Sequence, residues 1–238
     1  MSITLRTIIA AVTLVGAASL TGCAGTFEPG AAGPAVDAPN WHTGDRWVYR
    51  GQDGFRLPVT WQETHTVTAT DNARTTIVVD YDGGVHGSRT EIWGGPGELL
   101  QGALMDIETR QFATPLRKLA FPLERGKTWS QWVENYNETT RRRGQINHYV
   151  SVGGWEHVAT PAGSFDAIRM RVLMRLDDDE FWRFPTTCNY VLWYAPSIGA
   201  TVREEKDAEY LEKGDAIDSQ VIRAQHTLIE LVSFSRGG

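Results

Sequence analysis

The six histidines, at positions 42, 65, 86, 148, 157 and 226, are the side chains best able to ligate a metal or move a proton. No two sit at the short spacing that sets two imidazoles on one metal, and only two cysteines could assist them. His148 shares strand parity with Ile146, Val150 and Val152, so it belongs to an apolar face. There it is either a buried, hydrogen-bonded imidazole or a polar handle inside a ligand cavity. Asp177-Asp178-Asp179-Glu180 crowds carboxylates but lacks the spaced pattern and central Gly of a calcium loop, and reads as a solvated hairpin turn. Gly126-Lys127-Thr128 is similar to the end of a phosphate-binding loop, yet Phe121 stands where its first Gly is needed and a β pattern follows. There is no Gly-x-Ser-x-Gly elbow, and paired-carboxylate catalysis has no positive support. The expectation is a chain with no catalytic residue, no metal and no cofactor.

Nine Trp and four Met are the other candidates. Core packing explains most aromatics near strands. A functional set would line an apolar ligand cavity with His148, Met170, Met174, Trp61 and Trp193, joined by some of Trp129, Trp132, Trp155 and Trp182, because aromatic and Met linings suit adaptable pockets.

Upstream of these residues, Thr7 to Leu20 is a 14-residue stretch, apolar apart from two Thr and Ser19, preceded by Arg6 and closed by Leu20-Thr21-Gly22-Cys23. It is too short for a permanent membrane span. The closing residues resemble the lipobox of bacterial lipoproteins. That resemblance implies cleavage before Cys23, lipid attachment at Cys23 and anchoring through acyl chains, each buried methylene contributing about 0.8 kcal/mol. Ala24 stands where Asp would retain such a protein at the inner membrane, so the resemblance implies the periplasmic face of the outer membrane.

Removing residues 1–22 from 238 leaves 216, enough for a substantial core, and takes the net charge from −6 to −7 with the loss of Arg6. This balance argues against nucleic-acid binding and against electrostatic attraction to anionic lipid. With Cys23 lipidated, Cys188 has no intramolecular partner, and its parity with Tyr190, Leu192 and Tyr194 makes it a buried thiol. Residues 24–40 are dominated by Ala, Gly and Pro and read as a flexible tether.

The elements that must position any site are strands. In residues 165–176, Ile168, Met170, Val172, Met174 and Leu176 alternate with Arg169, Arg171 and Arg175. Residues 61–70 place Trp61, Glu63, His65, Val67 and Ala69 on one face. Further strands read at 46–51, 74–81, 89–93, 128–134, 145–152, 181–194, 200–204 and 221–234, separated by Gly, Asn, Asp and Pro turns. Residues 204–219 read as a long polar loop. Gly44-Asp45-Arg46-Trp47 and Gly126-Lys127-Thr128-Trp129 open two strands 82 residues apart, as two similar β layers or one curved sheet entered twice would require.

Three phrases, Phe121-Pro-Leu-Glu-Arg-Gly-Lys-Thr-Trp129, Thr160-Pro-Ala-Gly-Ser-Phe-Asp-Ala-Ile168 and Trp193-Tyr-Ala-Pro-Ser-Ile-Gly-Ala-Thr-Val202, resemble landmarks of an exported bacterial β-protein family of unknown function. Ser197 replaces a usual Gly. The family is similar at fold level to the half-barrels of periplasmic lipoprotein carriers. The expected fold is mostly antiparallel β, a curved sheet, half-barrel or two-layer arrangement with few or no helices, as one domain over residues 41–238. The expected function is a non-catalytic, membrane-anchored binding module for a lipid, a lipoprotein segment or an envelope protein, with no nucleic acid or nucleotide. The alternatives are a structural envelope lipoprotein without a cavity, and an envelope hydrolase marked by convergent acids or a His–acid pair.

Overall fold

The computed structural model describes residues 29–55, 59–71, 73–82, 87–105, 108–214 and 219–238. The expected lipid attachment at Cys23 and the expected cleavage of residues 1–22 fall outside the described residues, as does His86.

Among the described residues there is no helix, and twelve antiparallel strands form one closed barrel: β1 (Arg46–Asp53), β2 (Val59–Thr70), β3 (Thr75–Tyr81), β4 (Arg89–Gly95), β5 (Glu98–Gly102), β6 (Arg110–Arg117), β7 (Thr128–Asn137), β8 (Arg142–Thr160), β9 (Gly163–Asp177), β10 (Thr186–Ala195), β11 (Ala200–Leu211) and β12 (Val221–Ser235). Each strand pairs with its neighbours in sequence, and β1 closes on β12 in the register Arg46↔Ser235 to Asp53↔Thr227. Closure leaves no strand at an open edge of the sheet, although β6 and β7 pair over only three residues, and so limits edge-to-edge association. The sheet is therefore mostly antiparallel β, and a full barrel rather than a half-barrel or two layers.

β9 shows why the strands face as they do. Ile168, Met170, Val172, Met174 and Leu176 are all buried inside, while Arg171 stands outside bonded to Asn189 and Arg169 pairs with Glu156. Each inward side chain removes an apolar group from water, of order 1.5–3 kcal/mol. Cys188 lies on the inward face of β10 with Tyr190, Leu192 and Tyr194, and burial pushes its thiol up to about 12.

The two Gly-x-x-Trp phrases open β1 and β7, six places apart in a ring of twelve, so one sheet is entered at opposite sides. Gly44 and Gly126 hold φ of 93° and 84°, which glycine adopts without a Cβ clash, and Trp47 and Trp129 are both buried.

Several expectations are corrected. Residues 29–40 are not a free tether. Ala31 exchanges main-chain hydrogen bonds with Trp155, Val36 does so with Leu123, and Val36 is buried. This strap lies along the barrel, and Gly30 allows it, since a Cβ there would be 2.8 Å from the Trp155 carbonyl oxygen. Residues 204–211 continue β11 instead of forming a loop, residues 181–185 precede β10, and β5 and β6 are additional strands. Asp178 is not solvated. It is buried in an ionic cap at the barrel end that carries the β7–β8, β9–β10 and β11–β12 turns. There Arg110 bonds Asp178, Glu108 and Asn135, and Arg183 also reaches Asp178.

Candidate functional site

Small barrels fill with side chains, and wider ones leave space. Here the β5–β9 side is apolar and packed, and a cavity of about 130 Å³ remains on the other side, toward the end opposite the ionic cap. It is room for roughly one ring-sized group. A larger concavity of about 620 Å³ beside Gln111, Glu134 and Arg143 is walled mainly by solvent-exposed side chains.

One wall is aromatic. Trp41, arriving from the strap, stacks edge-on to Trp93 at 5.4 Å and Trp47 at 6.3 Å, and its indole N–H donates to the Gly199 carbonyl at 2.9 Å. Trp47 donates to the Ile198 carbonyl, and the Tyr49 hydroxyl donates to the Thr201 carbonyl at 2.9 Å. These bonds fix the rings to the β10–β11 turn and tie the strap to the cavity.

The other wall is charged. Glu63 and His65 project inward from β2, with Nε2 of His65 3.0 Å from Oε2 of Glu63, and the Trp61 indole N–H donates to Glu63 Oε1 at 2.8 Å. Arg89 on β4 lies 3.6 Å from Glu63 and 3.2 Å from Glu91. Burial alone would raise the Glu63 carboxyl, but the hydrogen bond and charge of His65, with Arg89 and Trp61, bring it down to about 2. Burial likewise pushes Glu91 up, and Arg89 and Lys118 draw it below its ordinary value. On β11, Lys206 pairs with Glu204 at 2.9 Å. Lys118, after β6, lies 5.7 Å above the Trp93 ring.

A second, smaller cavity of about 30 Å³ shares Lys118, Glu204 and Lys206 with the first and adds His148, Met174 and Val172. His148 is buried as expected, but its Nδ1 has no hydrogen-bond partner among the described residues, so the expected bonded imidazole is corrected. Burial, reinforced by Lys118, pushes it down to about 4 and keeps it neutral near pH 7. Trp93 Nε1 and the Tyr194 hydroxyl, both buried in residues of the larger cavity's wall, are also without partners.

Of the five residues expected to line a cavity, His148 and Met174 do so, in the smaller space. Met170 is packed in the core, and Trp61 serves the site by fixing Glu63. Trp193 is on the outer face, alternating with inward Leu192 and Tyr194, and bonds Glu156 at 2.8 Å. The larger cavity instead uses Trp41, Trp47 and Trp93. One signal for it was present in the sequence: Glu63 and His65 share a face with Val67, an apolar face carrying two ionisable groups. Among the described residues, no group of three or more His, Cys, Asp or Glu is arranged to hold a metal.

No protein-family model and no curated protein matches the chain. Among solved structures, a Bacteroides fragilis protein assigned to export, with a YmcC-like fold, is similar with a TM-score of 0.53 at 14% identity, covering 85% of this chain and 100% of that one. A Parabacteroides distasonis protein assigned as a lipoprotein gives 0.49 at 14% identity, with the same coverages. The first likeness is one of fold.

Proposed function

We propose that this chain is a lipid-anchored envelope protein whose barrel is a non-catalytic binding module for a small, ring-sized molecule. The observation carrying this reading is the cavity of about 130 Å³ between fixed aromatic rings and buried charges. Convergent polar groups on an otherwise apolar, preformed wall are the usual signature of a small-molecule site. The volume suits a ring and not a full acyl chain, so a lipid or protein partner would meet the outside of the barrel. Support for the anchor is Leu20-Thr21-Gly22-Cys23, together with the export assignment of the Bacteroides fragilis fold neighbour. Seven residues separate Cys23 from the docked Gly30, a reach of at most about 25 Å, so the strap would hold the barrel close to the headgroups at the outer membrane.

A hydrolase is the second reading, favoured by the Glu63–His65 pair. Among the described residues the wall offers no Ser or Cys nucleophile, and of its three carboxylates Glu63 and Glu91 are held ionised by their neighbours while Glu204 is paired with Lys206.

Native mass spectrometry of the full chain extracted from the envelope tests the binding reading. A small non-lipid adduct is expected, and Ala103→Trp, which fills the cavity, should remove it. No adduct on the unmodified chain, or an adduct indifferent to Ala103→Trp, would sink the reading.

A further inference from the structure

We infer that the ligand of this cavity is a monocyclic carboxylate whose anionic group is received by Lys118. This rests on the binding reading above and names the ligand's chemistry.

The argument begins with which charges in the wall are in contact with a partner. Glu63 is in contact with His65 and Arg89, Glu91 with Arg89, and Glu204 with Lys206. Lys118 is the exception. Its ammonium is close enough for its charge to act on Glu91 and His148, but it makes no ion pair with either and rests over the face of Trp93. A half-buried ammonium on an aromatic face retains donors for an incoming acceptor.

Two further buried donors belong to residues of the same wall. Trp93 Nε1 can only donate, the Tyr194 hydroxyl can donate, and both are more than nine-tenths buried in residues of the same wall. A charged acceptor suits this setting better than a neutral one, because its hydrogen bonds are roughly twice as strong. The rest of the ligand is set by the rings: Trp41, Trp47 and Trp93, which meet edge to face, give the cavity an aromatic wall against which an apolar ring can pack.

The test is ligand-observed fluorine NMR on the full-length chain in nanodiscs, with 4-fluorobenzoate and its neutral near-isostere 4-fluorobenzamide. The benzoate should bind at least tenfold more tightly than the amide. Lys118→Met should remove that preference while the thermal midpoint stays near the parent's, and Lys118→Arg should retain it. If Lys118→Met does not fold, Lys118→Gln takes its place, and the benzoate-to-amide ratio on the unmodified chain decides independently. Equal binding of both probes, or a preference that survives loss of the lysine charge, overturns the carboxylate inference and leaves the cavity as a site. Binding of neither probe overturns the cavity reading with it.

Discussion

Arg110 and Asp178, 68 residues apart in the chain, meet as a two-pronged ion pair inside the barrel end, with Nη1 2.6 Å from Oδ1 and Nη2 3.0 Å from Oδ2. Glu108 receives the remaining Nε–H at 2.7 Å, and Asn137 donates to the other Glu108 oxygen at 2.9 Å. Arg110→Met would leave two buried carboxylates without their main cation. The expected loss is about 3–5 kcal/mol, as for other broken buried pairs. Urea denaturation should show it as a lower midpoint at unchanged slope. A loss under 1 kcal/mol would mean that the cap is hydrated and contributes little to closing the barrel.

Facing in β9 gives a second test. Val172 points into the barrel beside His148 and Met174, whereas Arg171 is outside and bonded only to Asn189. Val172→Arg should cost several kcal/mol by burying a charge next to Lys118 and Lys206. Arg171→Ala should stay within about 0.5–1 kcal/mol. Equal effects in chemical denaturation would contradict the assigned inside and outside of this strand.

His148 should make stability fall with acid in a defined window. Its folded value of about 4 lies below the ordinary 6.5, so the unfolded chain binds the proton first and stability is fully present above pH 6.5. Between pH 7 and pH 5, above the range in which Glu63 responds, the loss should be about 2 kcal/mol. His148→Gln should flatten that part of the profile, whatever its absolute stability. An unchanged slope would mean that His148 is protonated in the fold.

The strap is tested at Gly30, which has no room for a side chain against Trp155. Gly30→Val should break the Ala31–Trp155 bridge and raise amide exchange over residues 30–36, with the barrel strands unaffected. Slow exchange retained there would show that the strap is held from Val36 onward alone.

The way these sites are built explains how much of the fold was legible. A strand with apolar residues facing in and polar residues facing out, such as β9, could be read directly from period two. Polar side chains facing inward obscured others. β6 carries the inward Arg110, and Pro115 lacks an N–H, so its pairing with β7 runs only from Arg110 to Phe112, and the Gln131 side chain bonds Arg117 and Pro115 in place of the ladder. β11 looked like a loop because Glu204 and Lys206 face the cavity, breaking the pattern that marks a strand. β5 joins two adjacent Leu to a Gly and has no alternation to read. Trp41 was hidden for a different reason. It follows an Ala-, Gly- and Pro-rich stretch, and only long-range contacts, its bond to Gly199, 158 residues away, and its ring contacts with Trp47 and Trp93, show that it belongs to the cavity. The residues hardest to find were those that build the site, where local pattern yields to function.

The central claim, that a ring-sized ligand binds inside the barrel, is tested most directly by following the tryptophan indole N–H signals by NMR as single-ring compounds or a long-chain fatty acid are added. Single-ring compounds are expected to move Trp41, Trp47 and Trp93, which line the cavity, and to leave Trp132, Trp182 and Trp193 in place. The fatty acid should leave the cavity signals unmoved. Fatty-acid shifts at Trp41, Trp47 and Trp93 with none from the rings, or ring-compound shifts confined to the outer indoles, would contradict the account.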